Sequence, residues 1–270
     1  MEYISIIDRD SFVIAALYDI MHVSSSPYTV LPYAFYVSGF GKPLYVAYFI
    51  EKHNLWNNLF LRLMKENHKS SKELEYAIKL IRSIELPMWE ELSNTLSNLH
   101  PLIYKIFNEK KDVMIDKIKH IFGFNKFFRK IYVIYGFNPL PDYTYGSMLY
   151  WDHENTLISV YINDMQSPEK AIDIIIHEML HGLMRLNNIE LRADVEELLI
   201  DLSCPEGYLS KLLGLVDKVN VNEIAEKYED LAELATMVIT YYEDKVYEDN
   251  ISLIQWITNY MSDRRLPIIK

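Results

Sequence analysis

The chain has 270 residues, half of them hydrophobic and 24% charged, with a formal net charge of −11 and a pI near 5.2. That balance is enough for a sizeable core, and it excludes nucleic acid or an anionic membrane surface as the main partner, since an acidic surface repels both. A single cysteine, Cys204, rules out an intramolecular disulfide. Neither a basic nor an apolar signal region follows Met1, and a cytoplasmic protein is expected.

Before residue 125 the periodicity predicts helices over Asp10–Val23, Leu44–Asn67, Ser71–Ile84, Met88–Leu99 and Leu102–Phe122, punctuated by Pro27, Pro87 and Pro101. Residues 28–50 are the most apolar stretch. Gly39, Gly41, Lys42 and Pro43 divide it into runs too short for a bilayer, so a buried element is expected and no membrane partner. His22, His53, His68, His100 and His120 are scattered without ligand spacing.

Lys130–Tyr135 reads as a strand. Ser147–Trp151 and Thr156–Asn163, rich in β-branched and aromatic residues, flank Asp152-His153-Glu154-Asn155 as a hairpin. Between them Gly136–Gly146 is a turn-rich loop that either lines a cleft or connects strands. A helix over 167–186 comes next: Ser167 suits the N-cap, Pro168 the first helical position and Glu169 the positive end of the dipole. Ile172, Ile175, Ile176, Met179, Leu180, Leu183 and Met184 recur at helical spacing, so this helix is largely buried.

That buried helix carries His177-Glu178-Met179-Leu180-His181. Two histidines four apart share one helix face and can take one Zn²⁺ between them, with Glu178 placed as general base. Burying three ionisable groups costs several kcal/mol unless a metal or hydrogen bonds offset it. A second helix is predicted from about Glu190 to Ser203, bounded by Asn187-Asn188 and Pro205. Glu190, Asp194, Glu197 and Asp201 form one stripe along it, and Leu191, Val195, Leu198 and Leu202 another. The stripe is either a solvated acidic face or the source of a third ligand, with Glu197 and Asp201 singled out.

Continuations typical of two zinc-enzyme classes are missing. Met184 and Asn187 stand where a metzincin has glycine and a third histidine, and Cys204 lies downstream of the motif, whereas a peptide deformylase has its cysteine upstream. Over residues 145–203 the chain resembles the gluzincin branch of the zincin metallopeptidases, which pair a His-Glu-x-x-His helix with a helix bearing Glu-x-x-x-Asp. Glu197-Leu198-Leu199-Ile200-Asp201 matches the second pattern, across a connection that is short for the family.

The resemblance implies that His177, His181 and Glu197 bind one Zn²⁺, that Glu178 activates water, and that Asp201 orients a ligand histidine. Glu196, Asp194 and Glu190 remain alternatives to Glu197. Glu196 shares a face with Arg192 and Ser203 and is expected to be more exposed. The resemblance also implies an α+β, zincin-like fold with a small sheet over the active-site helix. Helical N-terminal and C-terminal regions complete it, the latter over Val221–Tyr247 and Ser252–Ser262. The expected division is 1–125, 126–203 and 204–270.

The function expected is that of a zinc metallopeptidase acting on peptides or unfolded proteins. An endopeptidase is favoured, because no Gly-x-Met-Glu-Asn signature for gripping a substrate amine is present. Tyr208, Tyr228, Tyr241 and Tyr242 are candidates for a further donor to the reacting oxygen. The alternative is a binding or regulatory protein on the same scaffold, with structural zinc or a latent cleft.

Overall fold

A computed structural model describes residues 1–22, 41–86, 89–137, 145–162, 167–219, 221, 226–247 and 251–264. The turn-rich segment 138–144, the apolar run 28–40, Pro27, Pro87 and residues 222–225 of the expected C-terminal helix lie outside the described residues. The fold is mixed α and β, with a small mixed sheet among helices, as the composition of elements predicts. Among the described residues no helix is long and apolar enough to cross a membrane.

The elements in chain order are β1 (Glu2–Ile6), α1 (Arg9–His22), α2 (Gly41–Lys52), α3 (Trp56–Leu63), α4 (Lys72–Arg82), α5 (Trp89–Phe122), β2 (Lys130–Phe137), β3 (Tyr145–Trp151) and β4 (Asn155–Ile162). They continue with α6 (Pro168–Leu186), α7 (Ala193–Ser203), α8 (Tyr208–Leu212), a 3-10 turn (Glu229–Leu231), α9 (Ala232–Thr240), a π-helical turn (Tyr241–Lys245) and α10 (Leu253–Arg264). They fall into two compact units, neither of them continuous in sequence.

One unit comprises Glu2–Tyr104 and Arg129–Ala171 and contains the sheet, in the order β1-β2-β4-β3. β1, β2 and β4 run parallel, and β3 pairs antiparallel with β4 as the predicted hairpin, Trp151 opposite Thr156. Asp152 closes the turn by accepting the backbone N–H groups of Glu154 and Asn155, both at 2.7 Å. All eight residues of β4 are buried, as an interior strand covered on both faces requires. Gly136 in β2 lets the Tyr161 ring and Phe12 of α1 approach the sheet backbone; a Cβ there would collide with both.

Three expectations for this region are corrected. Leu44–Asn67 is not one helix: α2 ends at Lys52 and α3 spans Trp56–Leu63, with Asn54 between them at a left-handed φ of 51°. The N-terminal stretch opens with a strand, because Glu2–Ile6 finds its partner in Lys130–Ile134, far along the chain. Met88–Leu99 and Leu102–Phe122 are not two helices: α5 runs through Pro101.

The other unit comprises Met1, Lys105–Phe128 and Ile172–Lys270. Ile172, Ile175, Ile176, Met179, Leu180, Leu183 and Met184 of α6 are all buried in its core, each contributing roughly 1.5–3 kcal/mol. α6 starts where expected, with the Ser167 hydroxyl accepting the Lys170 N–H at 3.2 Å. It ends at the Asn187-Asn188 turn: Asn188 takes a left-handed φ of 57°, and the Asn187 side chain donates to the Leu183 carbonyl at 2.9 Å. The buried Asp173 accepts from the Glu206 N–H at 2.7 Å and the Ser210 hydroxyl at 2.6 Å, tying α6 to the loop after α7. Gly207 in that loop lies against the backbone of Leu202 and Ser203, where a Cβ would collide.

Candidate metal centre

The candidate centre lies within the second unit, on α6 and α7. One helical turn brings the rings of His177 and His181 to a centroid separation of 5.1 Å. Neither ring is free to turn. His177 Nδ1 lies 2.8 Å from the carbonyl oxygen of Cys204, a group that only accepts, so Nδ1 is the donor and Nε2 is the nitrogen left for a cation. His181 Nδ1 lies 2.6 Å from Glu196 Oε1, and its Nε2 is 3.6 Å from Glu197 Oε1. One ligand atom from each of His177, His181 and Glu197 falls within 4.8 Å of the others, close enough for a single cation. Glu178, only 9% exposed, has Oε1 4.0 Å from His177 Nε2.

The carboxylates of α7 divide the work differently from the expectation. Glu196, predicted to be the more exposed, has 12% of its side chain exposed, against 48% for Glu197. The buried arc of α7 is wider than its Leu and Val stripe, because Leu199 and Ile200, three and four residues beyond Glu196, are also buried and carry Glu196 inward with them. Those two residues were the sequence signal for an inward Glu196. Asp194 pairs with Arg192 at the surface, and Glu190 is exposed.

Asp201 also differs in detail. Its Oδ1 stands 3.7 Å from His177 Nδ1, beyond hydrogen-bond range, while Oδ2 accepts from Lys227 Nζ and from the Tyr228 hydroxyl, both at 2.6 Å. The Cys204 carbonyl therefore does for His177 what Asp201 was expected to do. No residue pattern marked this, since every residue has a carbonyl.

The electrostatics follow from burial and crowded carboxylates. Burial pulls the His181 pKa down, but the Glu196 hydrogen bond and the charges of Glu178, Glu197 and Glu196 outweigh it, and the net shift is upward. Burial and the charges of Asp173, Asp201 and Glu178 push the Cys204 thiol well up, so it stays protonated. Tyr228 is likewise raised, by burial, by its bond to Asp201 and by the charges of Asp201 and Glu197.

The other tyrosines considered as donors are engaged elsewhere: Tyr208 with Glu243, Tyr241 with the carbonyls of Ile121 and Ile251, and Tyr242 with Ser203. No protein-family model, curated protein or solved structure matches the chain.

Proposed function

We propose that this protein is a zinc-dependent metallopeptidase of zincin-like, gluzincin type, hydrolysing peptide bonds in peptides or unfolded proteins. The juxtaposition of His177, His181 and Glu197 carries the reading: two imidazoles with Nδ1 pinned and Nε2 available, and a carboxylate within 4.8 Å. This two-nitrogen, one-oxygen set suits Zn²⁺ and leaves a fourth position open. Glu178, Glu196, Glu197 and Asp201 against Arg185 and Lys227, four carboxylates and two cations, leave these groups a formal charge of −2, which a divalent cation neutralises. The mixed sheet that precedes α6 in the chain also supports a zincin-like fold.

When bound, zinc supplies a Lewis acid that acidifies water and polarises a carbonyl. Glu178, beside the ligand histidines and poorly solvated, takes the proton of the attacking water and returns it to the leaving amine. Glu178 adds no further ligand in this reading, which is why a general base between the histidines favours catalysis over a purely structural site.

The test is metal analysis of the wild type, Glu178→Ala and Glu197→Ala, together with cleavage of an unfolded protein. The expected result is one zinc and cleavage in the wild type, retained zinc without cleavage in Glu178→Ala, and weakened zinc binding in Glu197→Ala. A wild type without zinc even after reconstitution would overturn the reading. Zinc held without cleavage of any peptide would favour the regulatory scaffold.

A further inference from the structure

We infer that Glu196 is the positioning residue of the metal centre: it locks His181 in the Nδ1–H tautomer and, through its charge, makes His181 the stronger of the two imidazole donors. The inference rests on the metal-site reading but assigns a role that the Glu-x-x-x-Asp pattern does not contain.

The geometry is specific. Glu196 Oε1 is 2.6 Å from His181 Nδ1, the shorter of the two imidazole contacts at the site, and both side chains are largely buried. A second group fixes the pair. Arg185, one turn beyond His181 on α6, donates from Nη1 to the His181 carbonyl at 2.9 Å, and the same nitrogen lies 3.6 Å from Glu196 Oε1. The guanidinium thus spans the backbone of the ligand histidine and the carboxylate that orients its ring. With Nδ1 committed, His181 offers only Nε2, the nitrogen that faces Glu197.

The two histidines are held unequally. His177 donates to a neutral carbonyl and His181 to a carboxylate, and a charged acceptor raises the basicity of the opposite ring nitrogen more than a neutral one does. Asp201, which the sequence pattern puts in the orienting role, spends one oxygen on Lys227 and Tyr228 and holds the other 3.7 Å from His177.

The test pairs a metal-independent readout with an affinity. Long-range ¹⁵N correlation spectra of the metal-free protein at mildly alkaline pH report the tautomer of each histidine. Zinc affinity comes from competition with a chromophoric chelator. Glu196→Ala is expected to release His181 from the Nδ1–H form and weaken zinc binding roughly 10- to 100-fold. Glu196→Gln, which keeps an acceptor oxygen but no charge, is expected to retain the tautomer with a smaller loss. Asp201→Asn should leave the His181 tautomer unmoved.

If the wild type binds zinc and Glu196→Ala changes neither tautomer nor affinity, the inference falls and the metal site stands. If the His181 tautomer follows Glu196 but the wild type binds no zinc, the metal reading falls and takes the positioning role with it.

Discussion

His177 and His181 sit one turn apart on α6, yet they meet different acceptors, a backbone carbonyl for one and a carboxylate for the other. The His181 pKa lies above its ordinary 6.5 despite burial, which acts to lower it, because Glu196, Glu178 and Glu197 favour the imidazolium. In the metal-free protein the sign follows from linkage: a raised folded-state pKa contributes stability that is fully present below the unfolded value of 6.5 and is lost as pH rises through the folded value. Thermal unfolding of the metal-free protein across this range should show that decline, and Glu196→Gln should flatten it. The proposed zinc site predicts the opposite dependence: a cation there competes with the His181 proton, so zinc affinity should fall as pH drops below the raised pKa, and chelator competition at several pH values measures the slope.

Secondary-structure elements carried most of the legible signal. Ser167, Pro168 and the Asn187-Asn188 turn mark both ends of α6 by local chemistry, and the Asp152 turn marks the hairpin. The sequence misled where an element overrode a local rule. Pro101 reads as a stop, because it lacks the N–H that would bond to Ser97 and its ring crowds that carbonyl, but α5 continues through it. Packing of apolar residues on both sides of the proline, including Leu96, Ile103 and Phe107, outweighs the local cost. Pro101→Ala should therefore raise stability by about 1–3 kcal/mol in urea unfolding. Gly207 is the reverse case. Its backbone angles suit any residue, yet a Cβ would strike the backbone of Leu202 and Ser203, so Gly207→Ala should cost about 1–3 kcal/mol and, by shifting the segment that carries the Cys204 carbonyl, weaken zinc binding as well.

At the scale of the molecule, both histidines, the α7 carboxylates and the Cys204 carbonyl belong to one compact unit, so the proposed zinc site predicts that metal stabilises the folding of that unit. Free zinc at 100 times its dissociation constant should stabilise the protein by about 2.7 kcal/mol. Calorimetry should then show a rise in melting temperature on the order of 5 °C, reversed by a chelator.

The sequence by itself determined the hairpin, the motif helix with its two termini, the second helix and the pairing of His177 with His181, since each depends on turn chemistry or on residues three and four apart. Tertiary structure alone decided that β1 pairs with β2, that Glu196 rather than Asp201 takes up a histidine N–H, and that the Cys204 carbonyl holds the other. Those partners are distant along the chain, and which acceptor reaches a ring depends on how two helices approach, a quantity that no local spacing encodes.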